Sequence, residues 1–376
     1  VKSSADVLVI GGGVMGCASA LALAGAGLRV VVLERSVPGA EASSAAAGIL
    51  GAQAEAHEPG PFFDLARLSL VRYPAWAEQL ARVTGIDIGY RPCGTLRVAS
   101  TDAGSAEIER ETAWQRRAGL ALEWLDAQAL TRLEPAVARG NAGVHFPDDG
   151  RVDPPLLLRA LHIAAGSAGA RFQSGTYVRT IDVDGSTARG VVLEDGSRLS
   201  CEHVVLAAGS WSTLVGGTPL AAGAVRPARG QIVELETQAP PIGHVVMGPR
   251  CYLVPRDDGR VLVGSTLEFV GYRREVTAQA VRDLLDAAIE LVPSLASAAI
   301  GRMWSSFRPY TGGLPFLGPT DVRGLVLATG HHRNGILLAP ITAEIVCAAV
   351  RGEMMPIDLT PFAYSGAGQA ASSSSE

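Results

Sequence analysis

Two stretches of this chain carry residue types that could do chemistry. Gly11, Gly13 and Gly16, spaced Gly-x-Gly-x-x-Gly, follow the apolar run 6–10 and open an Ala/Leu-rich segment, Val14 to Ala26, which Gly27 closes in a helix-stop position. In that setting the first glycine permits a tight turn, the second lets the backbone approach a pyrophosphate, and the third allows close packing of helix on strand. Helix amides and the helix dipole then favour the phosphates. Glu34 ends the next apolar run, 29–34, placed to accept hydrogen bonds from a ribose diol; an acid there disfavours the extra phosphate of NADP. The fingerprint alone does not choose between FAD and NAD. The second stretch, GHHRNGILLAP at 330–340, sets two histidines, Arg333 and Asn334 before a wholly apolar run. A guanidinium in that position needs an anion to hold.

The elements that would position these groups are legible from pattern. Runs 6–10 and 29–34 with the helix between them spell β-α-β. Helical spacing covers 62–84 and 105–118, and the Asp153-Pro154 pair introduces a helix over 155–166. Residues 94–100 read as a strand and 171–209 as a meander with turns at Asp184-Gly185 and Asp195-Gly196. Further strands are expected at 230–235, 251–255, 261–265 and 324–330, and helices at 277–291 and 335–352. Three separated segments, 41–50, 203–212 and 328–336, each present small residues suited to close backbone approach. Three such points imply a large buried cofactor, whereas a nicotinamide enzyme needs one.

Size and composition bound the alternatives. At 376 residues and 48% hydrophobic content the chain can bury a large core in two domains or one composite one. A net charge of −5 without a basic cluster argues against a nucleic-acid partner. The five cysteines are scattered and odd in number, which fits a reducing, cytoplasmic setting and neither a disulfide framework nor a zinc site. The uncharged run Val7 to Leu28 is long enough for a membrane span, but its bunched glycines suit a strand-turn-helix better, so no membrane insertion is expected. The tail from 365 to 376 is low-complexity and expected to be disordered.

The blocks SSAAAGIL, FFDLARLS, VVLAAGSWS, CYLVPR, VGST and GHHRNGILLAP, between about Val7 and about Ala349, resemble the FAD-dependent D-amino-acid oxidase superfamily, most closely its glycine oxidase branch. The resemblance implies a mixed α/β fold. A glutathione-reductase-like, FAD-binding Rossmann domain would comprise 1–82, 142–220 and 305–364, and a second, antiparallel-sheet substrate domain 83–141 and 221–304. It implies FAD contacts at Gly11, Gly13, Val14, Met15, Gly16, Glu34, Arg35, Ser43, Ser44, Ala47, Gly48, Ile49 and Val178. Further contacts would come from Ala208, Gly209, Trp211, Gly330, His332, Arg333, Asn334, Gly335 and Ile336. The FAD would be non-covalent, because residues 303–312 lack the cysteine used for attachment in monomeric sarcosine oxidases.

Substrate residues carry over to Tyr252, Arg308 and Arg333. By composition alone Arg308 would read as a structural arginine; its place in FRPY makes it the clamp for a substrate carboxylate, whose planar shape a guanidinium matches bidentately. Tyr252 would add an O–H donor and Arg333 a supporting charge, its anion being either the reduced flavin or the substrate carboxylate. The implied reaction is oxidation of glycine, sarcosine and small D-amino acids by hydride transfer from Cα to flavin N5, with no side-chain acid, base or metal. Imine hydrolysis gives ammonia and a 2-oxo acid, and oxygen is reduced to hydrogen peroxide; in the thiamin pathway the glycine imine feeds thiazole formation. A homo-oligomer, a tetramer in the family, is also implied. The competing readings are a D-amino-acid dehydrogenase that reduces quinone and an RNA-binding flavoprotein, the latter opposed by the acidic charge balance.

Ile49 and Leu267 stand where methionine may occur in the family and conserve volume. Arg250, where histidine is common, and Tyr310, where glycine is frequent, are expected to reshape the pocket. His331 and His332 lack an accompanying carboxylate and read as neither metal ligands nor acid-base groups, Cys251 reads as a small buried residue, and Glu55, His57 and Glu58 read as a solvated loop near the entrance.

Overall fold

The computed structural model describes residues 5–366 apart from 139 and 141. Its first strand, Val7–Ile10, is buried along its whole length, as a four-residue apolar run flanked by parallel neighbours must be. It pairs in parallel with Val30–Leu33 on one side and His203–Leu206 on the other. Arg171–Gln173 and Leu325–Thr329 extend the sheet outward, and Phe316–Pro319 closes it as an antiparallel edge. Helices Val14–Gly25, Pro154–Ser167 and Gly335–Arg351 cover one face through a core that includes Leu23, Leu161 and Leu337. A three-stranded antiparallel sheet, Val178–Asp184, Thr187–Leu193 and Arg198–Ser200, covers the other through Ile181 and Val191.

The second layer is an eight-stranded sheet in which Ala299–Tyr310 forms one edge beside Arg226–Glu236. Arg260–Gly264, Tyr252–Pro255 and Val245–Met247 follow, then Thr95–Ala99, Ala142–Phe146 and Glu123–Asp126. All pairs are antiparallel except Val245–Met247 with Thr95–Ala99. One face packs on helix Ala278–Leu291. On the other, Ile232, Val254 and Leu262 pack against Ala47, with Ile49 and Trp304 alongside, so the substrate sheet leans on the segment after the second parallel strand.

Several expectations need correction. The helix expected over 62–84 is two helices, Pro61–Leu70 and Tyr73–Thr84, because Pro74 has no N–H for the Leu70 carbonyl and its ring would crowd it. The meander 171–209 is split: its first and last strands join the parallel sheet and only the middle three form the antiparallel one. Ala142–Phe146 belongs to the eight-stranded sheet and Ala299–Tyr310 is continuous, so boundaries at 141/142 and 304/305 would divide a sheet and cut a strand. The Val7 to Leu28 run is a strand, a glycine turn and a helix. Among the described residues one helical stretch, His332–Arg351, is long and apolar enough to cross a membrane, and 61% of it is buried within the fold. Of the tail expected to be disordered, 367–376 lies outside the described residues.

Candidate functional site

The two sheets enclose a cavity of ≈ 620 Å³, within the size range of ligand-holding clefts. At one end the chain turns out of the first strand at Gly11, whose φ of +103° suits glycine and whose Cβ, if present, would lie 2.6 Å from the Ala207 carbonyl oxygen. Helix Val14–Gly25 then starts at the cavity wall with Gly13, which has no side chain to cap it, as its N-cap residue. Its first turn therefore presents backbone donors and a positive dipole end, the arrangement that receives a phosphate. Ser43 Oγ accepts from the Val14 N–H at 2.9 Å, holding the 41–49 segment against that turn.

Glu34, buried, accepts from the Gly12 N–H at 2.7 Å and the Ser36 N–H at 2.8 Å, which leaves lone pairs on both oxygens for a diol in the cavity. Arg35 pairs with Glu41 at 2.6 Å and lies 3.8 Å over the Trp211 ring. Val14, Met15, Ala47, Gly48, Ile49, Val178, Ala208, Gly209, His332, Gly335 and Ile336 also line the space, and the buried His332 Nε2 has no protein partner. A helix start with glycine at its N-cap, a glycine cradle, a diol-facing carboxylate and an orphaned ring nitrogen fit an FAD.

Four expected contacts do not reach the cavity. Gly16 packs helix on turn, since a Cβ there would meet the Gly11 oxygen at 1.9 Å. Ser44 Oγ is directed to the Gly39 carbonyl at 2.6 Å and shapes the loop. Gly330 closes against Thr311, and Asn334 donates its N–H to the His331 carbonyl at 2.9 Å in the short turn His332–Asn334.

At the other end, Arg308 donates to Ser265 Oγ at 2.5 Å and to the Thr266 carbonyl at 3.1 Å. It lies flat on the backbone at Gly230, where a Cβ would stand 2.2 Å from Nη1. Tyr252 crosses the neighbouring strand at its ladder partner Gly264 in the same way. These strand glycines, with Ser265 and Thr266, were not anticipated as site residues; a glycine inside a strand pattern is the signal that marks such close approach. Gly230→Ala is expected to push the guanidinium aside while the ladder persists, because the obstructed atoms are the far end of a flexible side chain. Carboxylate affinity should fall several-fold with little change in melting temperature, read by titrating acetate against the FAD-loaded protein.

Within the protein Arg333 has an anion already, one that was not expected: its Nε contacts Glu55 Oε2 at 2.5 Å. Glu55 is thus not part of a solvated loop; its side chain is 13% exposed, while His57 pairs with Glu111 at 3.1 Å and Glu58 is exposed. Arg250 lines the cavity but pairs with Glu290 on helix Ala278–Leu291. Tyr310 packs edge-on to His332, ring centroids 4.9 Å apart, and against Phe269 at 5.0 Å. Ile49 and Leu267 both face the space.

Burial pushes His331 down to about 3, its Nε2 lying 3.0 Å from Thr342 Oγ1. Burial and the charges of Arg308 and Arg333 push His332 down to about 3 as well, so both rings are neutral near pH 7. Burial raises the Cys251 thiol to about 12, which keeps it protonated and inert. The three lining carboxylates are already engaged: Glu34 by backbone N–H groups, Glu41 by Arg35 and Arg274, and Glu55 by Arg333.

Comparison with known proteins matches residues 6–349 to a family described as FAD dependent oxidoreductase. The chain is 37% identical over 362 residues to the glycine oxidase of Geobacillus kaustophilus, covering 95% of this chain and 96% of the relative. The crystal structure of glycine oxidase from that organism superposes with a TM-score of 0.91, covering 96% and 98% of the two chains. The chain is also 39% identical to the bifunctional protein ThiO/ThiG of Synechocystis, spanning 92% of this chain but 51% of that one. The crystal structure of iminodiacetate oxidase from Chelativorans is 27% identical, with a TM-score of 0.83 over 95% of this chain and 98% of that one.

Proposed function

Because this chain belongs to the FAD-dependent oxidoreductase family, we propose that it is an oxidase of small amino acids, glycine first, with sarcosine and small D-amino acids as further substrates. One observation carries the reading. Among the described residues, Arg308 is the one cavity arginine without a carboxylate partner, so it stands ready for the carboxylate of a substrate.

The turn Gly11–Met15, Glu34, Arg35 and Ser43 would hold the nucleotide end of FAD, and segments 45–49 and 328–336 the other end. When bound, FAD supplies the two-electron oxidation of the amine and delivers those electrons to oxygen. Arg308 takes the substrate carboxylate bidentately, its own position set by Ser265, Thr266 and Gly230, and the Tyr252 hydroxyl adds a donor. That clamp orients the α-carbon, the contribution of the protein to rate. Among the described residues the lining carboxylates are engaged and burial leaves the His331 and His332 rings with little affinity for a proton, which supports a reaction in which the substrate amine enters already deprotonated.

The test is the purified, FAD-loaded protein with glycine under air. Oxygen uptake should match hydrogen peroxide and ammonia formed; a flavin that stays bleached in air and is reoxidised by a quinone would replace this reading with a dehydrogenase. The five cysteines are all unbonded, which supports a reducing compartment such as the cytoplasm. The homo-oligomer implied by family resemblance belongs to the same proposal, with light scattering as its check.

A further inference from the structure

Charge around the cavity is nearly balanced, and the one imbalance defines what enters. Among the described residues five arginines line it, and four face carboxylates: Arg35 with Glu41, Arg97 with Glu111, Arg250 with Glu290 and Arg333 with Glu55. Arg308, Arg333 and His332 line the same cavity, and the charges of both arginines bear on the His332 ring. There Arg333 is half exposed and accessible, and Glu55 is what cancels it.

The backbone that carries Glu55 is held in place. Its loop is fastened just before it by the Gln53 and Ala54 N–H groups, which donate to the buried Asp149 at 3.1 and 3.0 Å. The Gln53 amide donates to Gln115 Oε1 at 3.0 Å, and Gln115 donates back to the carbonyls of Gln53 and Ala56, the latter on the far side of Glu55. These bonds fix the backbone on both sides of Glu55, and moving that backbone away from Arg333 would break several buried hydrogen bonds, each costly to leave unmade.

Resting on the assignment of Arg308 as the carboxylate clamp, we propose that Glu55 is a specificity-determining residue. By compensating the charge of Arg333 it leaves a single unpaired cation among the described residues that line the pocket, so the pocket accepts amines bearing one carboxylate and rejects those bearing two. A second carboxylate reaching Arg333 would meet the Glu55 charge, and like charges brought together at a desolvated site oppose binding strongly. Removing that charge while keeping the shape should convert Arg333 into a second clamp.

The experiment compares the FAD-loaded wild type, Glu55→Gln, and Glu55→Gln combined with Arg333→Ala. Turnover is measured with glycine, iminodiacetate and D-aspartate, and binding of acetate and malonate by perturbation of the flavin spectrum. Glu55→Gln should raise both the dicarboxylate-to-glycine ratio of kcat/KM and the malonate-to-acetate affinity ratio by about tenfold or more, and Arg333→Ala should cancel the gain. Ratios within about twofold of wild type, or a gain that survives Arg333→Ala, overturn the proposal. Should Glu55→Gln not fold, Arg333→Ala alone decides: the uncovered Glu55 must weaken malonate more than acetate, and equal losses overturn the idea. The binding arm needs no turnover, so a protein that shifts toward malonate yet leaves glycine unoxidised sinks the oxidase reading and keeps this one.

Discussion

Arg308→Ala is expected to yield a yellow, FAD-loaded protein whose kcat/KM for glycine falls roughly 10²- to 10⁴-fold, the equivalent of about 3–5 kcal/mol. That is the scale of removing one member of a desolvated charge pair, here the partner of the substrate carboxylate. The side chain rests on Gly230 and bonds Ser265 and Thr266, none of which belongs to the nucleotide end, so cofactor retention should be unaffected. Acetate should also cease to perturb the flavin spectrum. Stopped-flow reduction with glycine separates the effects: loss of positioning lowers the limiting reduction rate as well as affinity. A variant that keeps wild-type kcat/KM would move the clamp elsewhere in the pocket.

Gly16→Val is expected to act on the opposite end and on folding itself. A Cβ at Gly16 would lie 1.9 Å from the Gly11 oxygen, backbone against backbone, with no rotamer that relieves it. Helix Val14–Gly25 must then move off the first strand, taking with it the donors that face the cavity. Overpacking of this kind costs about 1–3 kcal/mol or more, and the purified protein should be colourless, with a lowered melting temperature that added FAD does not restore. Gly25→Ala in the same helix is the control, since nothing lies within 4 Å of its missing Cβ. Retention of FAD absorbance in Gly16→Val would show that the turn tolerates displacement.

What was legible in the sequence is local. The glycine spacing, two short apolar strands and the acid at Glu34 place the nucleotide end because each is read within a β-α-β unit. The place of Arg308 in the cavity was legible through its FRPY block, by resemblance. Less accessible were interactions that depend on folding distant segments together. Glu55 and Arg333 are brought into contact from far apart in the chain, and Glu55 looks like one more acid in a polar loop until Asp149 and Gln115 are seen to hold that loop in place. The strand Ala299–Tyr310 was missed because its residues alternate poorly between apolar and polar; it is an edge strand whose exposed half includes Ile300 and Met303. The break between Pro61–Leu70 and Tyr73–Thr84 was written in Pro74 but masked by continuous helical spacing.

That edge strand also works as a ruler. Its Trp304 indole donates to the Ala45 carbonyl at 3.0 Å, its Phe307 carbonyl accepts from Ser210 at 2.8 Å, and Arg308 follows at once. Two walls of the cavity and the clamp are therefore measured off along one run of backbone, paired residue for residue with 226–233. A one-residue insertion between Trp304 and Arg308 would rotate the guanidinium to the face where Phe307 now packs against Trp211 and Tyr272, and would bring a phenyl ring toward the substrate. A change of length that a loop would absorb would here be all-or-none, so the pocket can be altered along this strand by exchanging side chains but not by inserting or deleting residues.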